Sequence, residues 1–531
     1  MLQTRPVDRI VLIGLDGGDE RWLGPWMSRG LLPNLSKIWS DSSHGKLQTS
    51  EPATTAVAWA SMMTGNPPAI HGIYDDEYVR PGSGQIFKSD DRCLKSEHLW
   101  KKITATGREV ISIHLPLTDA MSGLAGLIEA GRNGLTSNSQ LYGSPGLMKS
   151  FRQSIPGLAQ QRIWKKRPTK IEELALLVKQ FQRSLDQLEA VVKKAENVVD
   201  WSVLAVNLKE LDGFLHRMWP ELEVDESTDA LAQPQWLGLV RDSLRRVDEF
   251  IGMLAEIAGK HNAGLMLVSD HGFSRCQGLV NVNGILRIHG IQRGQGLGNR
   301  AVSEGRRSIH RARNWLWQNI IGKESGRPAH LTMRCSASKS LAFAPFGKLS
   351  GLIYLSEKAS AHEGRAERLV EEISEIFRFI ADPNSGDPLF SNVIPVASRW
   401  GINTHARGWP DIIAVPADGY HPVARWPGKD LASVVHFDER LPGTHARSGV
   451  IAMNGPGIEA GARIEGHVED VAPTILKWLG LEEISQFSGK VVGNAAATNL
   501  FQPHIRLAQS RVVISTSSHA ASPAVIGLEV P

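Results

Sequence analysis

The chain has 531 residues, of which 42% are hydrophobic and 21% charged, and its formal net charge is +4. This is the composition of an ordinary soluble globular protein, long enough for a large core and more than one structural unit. The mild positive charge does not by itself imply nucleic acid and is compatible with an anionic substrate, while Cys93, Cys276 and Cys335, odd in number and far apart, suggest neither a disulfide framework nor a thiolate zinc site.

The first apolar run, Ile10–Leu15, is too short for the hydrophobic region of a signal peptide, and no small-residue cleavage site follows it. No stretch approaches the roughly 20 apolar residues of a spanning helix. A cytoplasmic enzyme is the resulting expectation. Ile10–Leu15 and the runs Val110–His114, Val203–Leu208 and Leu265–Ser269 are expected to be buried strands. Separated by helical patterns, they point to a mostly parallel α/β sheet covered on both faces. Leu99–Gly107 reads as a helix closed by glycine. Leu174, Val178, Phe181, Leu185, Leu188 and Val192 recur at spacings of three and four, which predicts a long amphipathic helix over 169–199. A second such helix is expected over 236–258, leading into the strand before Asp270.

The stretch 285–335 is different in kind. Its GQGLGN lacks the preceding strand and the spacing of a dinucleotide fingerprint. Its basic run GRRSIHRARNWLW suits a solvated insertion better than a partner-binding surface. Residues 505–531, rich in Ser and Ala, are expected to form a poorly ordered tail.

Five places carry potential chemistry. Asp16 ends the first strand, where functional groups of open α/β sheets gather, although a lone Asp there is ordinarily a turn or a cap. Thr54 and Thr55 precede an apolar stretch of helical length. Threonine there is ordinarily a cap, yet the same place suits a nucleophile, because free N–H groups and the helix dipole favour an anion. Asp212 and His216 would share one face of a helix, in reach of one ion or simply as a surface pair. Asp270 and His271 follow a strand directly and reach one site only if the chain turns, which Gly272 permits. His445, in GTHARSGV, is expected on a loop.

The order of these signals along the chain resembles the alkaline phosphatase superfamily, and within it the type I phosphodiesterase/nucleotide pyrophosphatase family. The resemblance runs from residue 10 to about 480 and includes LPNL at 32–35, AWASMMTG at 58–65, HGIYD at 71–75, PDIIAV at 410–415 and DVAPTILKWLGL at 470–481. It implies an alkaline phosphatase-like catalytic domain over 1–485, a mostly parallel sheet sandwiched by helices. Insertions at about 120–200 and 285–405 would cap the site. It implies two divalent metal ions, usually zinc and sometimes manganese. Asp212, His216 and His445 would hold one ion; Asp16, Asp270 and His271 the other, with Thr55 as a further ligand. Thr55 would be the nucleophile because it lies four residues before Trp59, as in the family's T-x-x-x-W pattern. The activity implied is hydrolysis of a small phosphodiester or related phosphate ester, with no nucleic-acid partner and no membrane span. The alternatives are a phosphomonoester or phosphonate hydrolase, a phosphotransferase on the same site, or a non-catalytic binding protein on this scaffold. No sulfatase motif is present.

One position departs from the pattern. After H-G-x-x-D the nucleotide pyrophosphatases carry an Asn that donates to a phosphoryl oxygen, and here that position is Asp76. An ionised carboxylate cannot donate and would repel phosphate. Asp76 is therefore either a turn residue pointing away, the preferred reading, or a substrate-binding acceptor.

Overall fold

In β1 (Ile10–Gly14) the side chains alternate between two cores: Val11 and Ile13 enter one hydrophobic cluster, Ile10 and Leu12 the other. A strand buried on both faces has to lie in the middle of a sheet with helices above and below. The computed structural model shows this arrangement. It describes residues 6–494 apart from 81–84, 119–120, 122, 130–140, 144–147, 150–166, 224–231, 233, 294–326, 329–338, 346–348, 361–363, 405–407, 425, 427–432 and 482–486. The basic run at 305–317, GQGLGN and the tail over 505–531 therefore lie outside the described residues.

After β1 come helices α1 (Glu20–Ser28) and α2 (Pro33–Ser40), strand β2 (Ser43–Gln48), helices α3 (Thr55–Thr64) and α4 (Leu99–Ala105), and strands β3 (Glu109–Ile113), β4 (Gly126–Glu129) and β5 (Leu141–Tyr142). Helix α5 (Ile171–Val198), strand β6 (Trp201–Asn207), helices α6 (Glu210–Leu222) and α7 (Leu237–Lys260), and strands β7 (Gly264–Val268), β8 (Gly272–Arg275) and β9 (Gly278–Asn281) follow. Next are β10 (Ala342–Phe343), β11 (Gly351–Leu355), α8 (Arg365–Phe379), β12 (Phe390–Pro395), β13 (Ile412–Pro416) and β14 (Tyr420–Val423). Then β15 (Gly443–Ala446), β16 (Ser448–Asn454), β17 (Arg463–His467), α9 (Val471–Trp478) and β18 (Gly493–Asn494) complete the described elements used below.

Ten strands form the central sheet in the order β18-β17-β2-β16-β7-β1-β6-β3-β4-β5. Strand β1 runs parallel to β6 and β7, with Ile10 opposite Val203 and Gly264; β6–β3 and β3–β4 are parallel too. Strand β16 is antiparallel to β7 and β2, so the sheet is mostly but not wholly parallel. The carboxyl ends of β1, β6 and β7 thus lie side by side, and the residues after them converge on one edge. One helix layer holds α1, α2, α5, α6 and α7; the other holds α3, α4 and α9.

The described part of 120–200, expected to cap the site, lies in these main layers. Strands β4 and β5 extend the sheet edge, and the apolar stripe of α5 packs in the same cluster as α7, where its hydrophobic face finds a buried partner. In the stretch 285–405, β10, β11 and β12 join β13 in a second sheet of order β10-β11-β13-β12, with its own core against α8.

Candidate metal centre and active site

Asp16 sits two residues beyond β1 and is buried, with Asn207 at the end of β6 donating to its Oδ2 at 3.4 Å. Helix α6 starts three residues after Asn207 and presents Asp212 and His216 one turn apart, as the spacing predicted. The expected turn after β7 is present: Asp270 and His271 form a bend, and Ser269 Oγ donates to the His271 carbonyl at 2.6 Å. The reason for Gly272 differs from the one expected. It has no left-handed backbone; a Cβ there would stand 2.2 Å from the Ser448 carbonyl oxygen and 2.4 Å from Asp19, so the glycine permits close approach rather than the turn.

His445 is not on a loop. It lies in β15, antiparallel to β8 and opposite Phe273, because GTHA pairs with the strand that follows Asp270-His271. Gly443 allows β15 to press on α6, since a Cβ there would come 2.6 Å from the Leu215 carbonyl oxygen.

The structure brings together all seven residues assigned to the metal centre. Each of the three imidazoles sets Nδ1 against a backbone carbonyl: His216 to Gly443 at 2.8 Å, His445 to Ala53 at 3.0 Å and His271 to Gly272 at 3.1 Å. A carbonyl only accepts, so each Nδ1 carries a proton, which leaves Nε2 as the ring nitrogen available to a metal ion. Those nitrogens face carboxylates. His216 and His445 Nε2 lie 3.2 and 2.9 Å from Asp212 Oδ1. His271 Nε2 lies 3.5 Å from Asp16 Oδ1 and 3.3 Å from Asp270 Oδ2. Asp16 Oδ1 is buried with no hydrogen bond. A ring nitrogen and a carboxylate oxygen this close need a proton or a metal ion between them, and backbone carbonyls that fix the ring are the usual outer support of metal-bound histidine.

Two groups result, Asp212–His216–His445 and Asp16–Asp270–His271, in each of which one ligand atom per residue lies within 4.8 Å of the others. The His271 and His445 rings stack with centroids 3.4 Å apart, so the groups abut. The donor set fits two neighbouring divalent ions.

The electrostatics agree. Burial, then the charges of Asp270 and Asp212, raise Asp16 well above the usual carboxylate range. Burial pushes Asp270 up to about 7, with Asp212 adding to the rise and His445 opposing it. Burial also works against ionisation of Asp212, but His216 and His445 outweigh it and hold the group well below its ordinary value. Burial and then His445 hold the His271 imidazole far below its own ordinary value. A site this crowded with carboxylates and imidazoles ionises fully only with cations bound.

Thr55 is the first residue of α3, and its Oγ1 lies 3.3 Å from His271 Nε2, against the Asp16 group. Thr54 caps the helix by backbone alone; its hydroxyl is buried and makes no hydrogen bond. Asp76 is exposed, and its backbone carbonyl accepts from the Ser89 N–H at 2.8 Å.

Sequence reading missed four residues around the site. Asn207 orients Asp16. Asp19 accepts from the Phe273 N–H at 3.1 Å while capping α1, which ties α1 to β8. Arg447 pairs with Glu51 at 2.8 Å and donates to Ser391 on β12, joining the segment before Thr55 to the second sheet. Arg217 follows His216 on α6. Only Asp19, in the run DGGD, carried a local signal, as a cap before a helix; the others act through neighbours distant in sequence.

The family described as Type I phosphodiesterase / nucleotide pyrophosphatase matches residues 10–449. The chain belongs to that family. It is a metal-dependent phosphoester hydrolase of the alkaline phosphatase superfamily, which uses two divalent metal ions. None of the curated proteins matches it. Among solved structures, the alkaline phosphatase PafA is 14% identical, with 92% of this chain and 98% of that chain covered at a TM-score of 0.54. Human ectonucleotide pyrophosphatase/phosphodiesterase 5 is 13% identical, with 90% and 96% covered at a TM-score of 0.49. Phosphonoacetate hydrolase from Sinorhizobium meliloti 1021, solved with phosphonoacetate, is 14% identical, with 85% and 90% covered at a TM-score of 0.47. The likeness to PafA concerns the fold alone. Among the described residues, no helix is long and apolar enough to cross a membrane.

Proposed function

We propose that this member of the family hydrolyses a phosphodiester or related phosphate ester, with Thr55 as nucleophile beside two zinc or manganese ions. The observation that supports it is the placement of Thr55 Oγ1 at the start of α3, 3.3 Å from His271 Nε2 and against the acceptor group of Asp16 and Asp270. Asp212, His216 and His445 would hold one ion; Asp16, Asp270 and His271, with Thr55, the other. Divalent ions bound there would favour the ionised threonine oxygen and offset charge on the leaving oxygen. The oxygen and imidazole donors, without thiolate, suit either metal.

The protein's own part is positioning. The first N–H groups of a helix lack intrahelical acceptors, so the start of α3 can receive a phosphoryl oxygen while Thr55 Oγ approaches phosphorus. Attack forms a Thr55–phosphorus ester as the alcohol leaves, and water then releases phosphate or its monoester. Buried Trp59, one turn on, packs in the core with Met62 and Met63 and holds that turn in place.

Turnover of bis(p-nitrophenyl) phosphate by Thr55→Ala and Thr54→Ala tests the assignment. Thr55→Ala is expected to lose at least about a thousandfold in kcat while keeping its metal, and Thr54→Ala to lose little. A dead Thr54→Ala beside an active Thr55→Ala would show that the nucleophile is one residue earlier.

A further inference from the structure

Helix α6 carries a charge that the metal centre does not use. Arg217 follows His216, and its Nη1 donates at 3.2 Å to the carbonyl of Gly213, one turn toward the helix start. The guanidinium therefore folds back to the end of α6 that presents Asp212. Its Nε is buried and makes no hydrogen bond, and no carboxylate of the described residues is within ion-pair distance of it. Asp212, five residues before it, turns its Oδ1 to His216 and His445.

Among the described residues, no acidic side chain forms an ion pair with Arg217. Arg167, also buried, donates to the backbone carbonyl of Arg217, and its own charge is matched by Glu221 at 2.7 Å. A partly buried guanidinium without an anion is costly, and a planar fork of donors matches a carboxylate or a phosphate.

Resting on the phosphoester reading above, we propose that Arg217 binds a second anionic group of the substrate, a carboxylate or a further phosphate, apart from the reacting phosphoryl group. The preferred substrates are then small esters or phosphonates with at least two separate anionic groups, and a neutral-armed diester is a poor mimic of them.

Calorimetry on the metal-loaded protein with 3-phosphonopropionate and propylphosphonate tests this. The two share a phosphonate and differ in the carboxylate. The wild type is expected to favour the carboxylated probe by about tenfold or more, a difference of about 1.4 kcal/mol. In Arg217→Gln, and in Arg217→Met, which keeps an apolar stem, the ratio of the two affinities should fall toward one; Arg217→Lys should keep part of it. A wild-type ratio near one, or a ratio retained in the Gln or Met variant, overturns the proposal. If neither phosphonate binds the wild type, the phosphoester reading itself has failed, and the role of Arg217 fails with it.

Discussion

Thr54 and Thr55 are chemically alike, and their surroundings separate them. One hydroxyl is sealed in the interior without a partner; the other faces His271 and the acceptor cluster. Asp76 is a parallel case at the next motif. It stands where the resembling family has a phosphoryl-contacting Asn, but here it is exposed at the start of a hairpin and bonds to Ser89 through its backbone. An exposed carboxylate does little to a reacting phosphoryl group, so Asp76→Asn should change turnover of a simple aryl diester by less than about twofold. A rise of about tenfold, roughly 1.4 kcal/mol of transition-state stabilisation, would place Asp76 against the phosphoryl oxygens instead.

At the scale of elements, the site is made by a helix and a strand that meet. Helix α6 gives Asp212 and His216, strand β15 gives His445, and Gly443 lets the two touch. His216→Ala and His445→Ala should therefore deplete the same ion, while Asp16→Ala and Asp270→Ala should deplete the other, each read by elemental analysis and by zinc titration. Loss of one common ion from all four variants would contradict the two-group arrangement. The apolar runs at 10–15, 110–114, 203–208 and 265–269 were legible as strands because each is buried on both faces, and they prove to be four adjacent strands at the centre of the sheet. The two long helices were legible from their stripes. Strand β15 was not, because GTHA has no alternation and pairs only with β8, about 170 residues earlier by the numbering of the pair. The placement of α5 in the main layer was also hidden, since periodicity shows that a helix has a buried face but not which surface buries it. Of the site, motif order carried the acceptors; the carbonyls of Ala53, Gly272 and Gly443 that fix the three rings were invisible, because backbone groups leave no mark in sequence.

At the scale of the whole molecule, two histidines outside the metal groups tie stability to pH. His71 Nδ1 accepts from the Ile73 N–H and His98 Nδ1 accepts from the Trp100 N–H, so both rings must be neutral in the folded chain. Burial pushes His71 down to about 3, and burial with a smaller contribution from Lys101 does the same to His98. Because the folded values lie below the usual 6.5, the unfolded chain binds these protons first. Stability is then unaffected above that value and falls as pH drops from 6.5 toward 3, by about 1.4 kcal/mol per unit for each ring. His98→Asn keeps an acceptor for the Trp100 N–H and removes the titration. Denaturant unfolding of this variant should show a shallower loss between pH 6.5 and 5 than the wild type, and equal slopes would show that His98 is already protonated in the fold.

The central claim is that imidazoles and carboxylates, facing one another at the carboxyl edge of the sheet, form a two-ion phosphoester site. The most direct measurement is the rate of bis(p-nitrophenyl) phosphate hydrolysis by chelator-stripped protein as zinc or manganese is added back. The account predicts negligible turnover in the stripped protein and recovery that saturates at two ions per chain. Full turnover in protein shown by elemental analysis to hold no transition metal would contradict it.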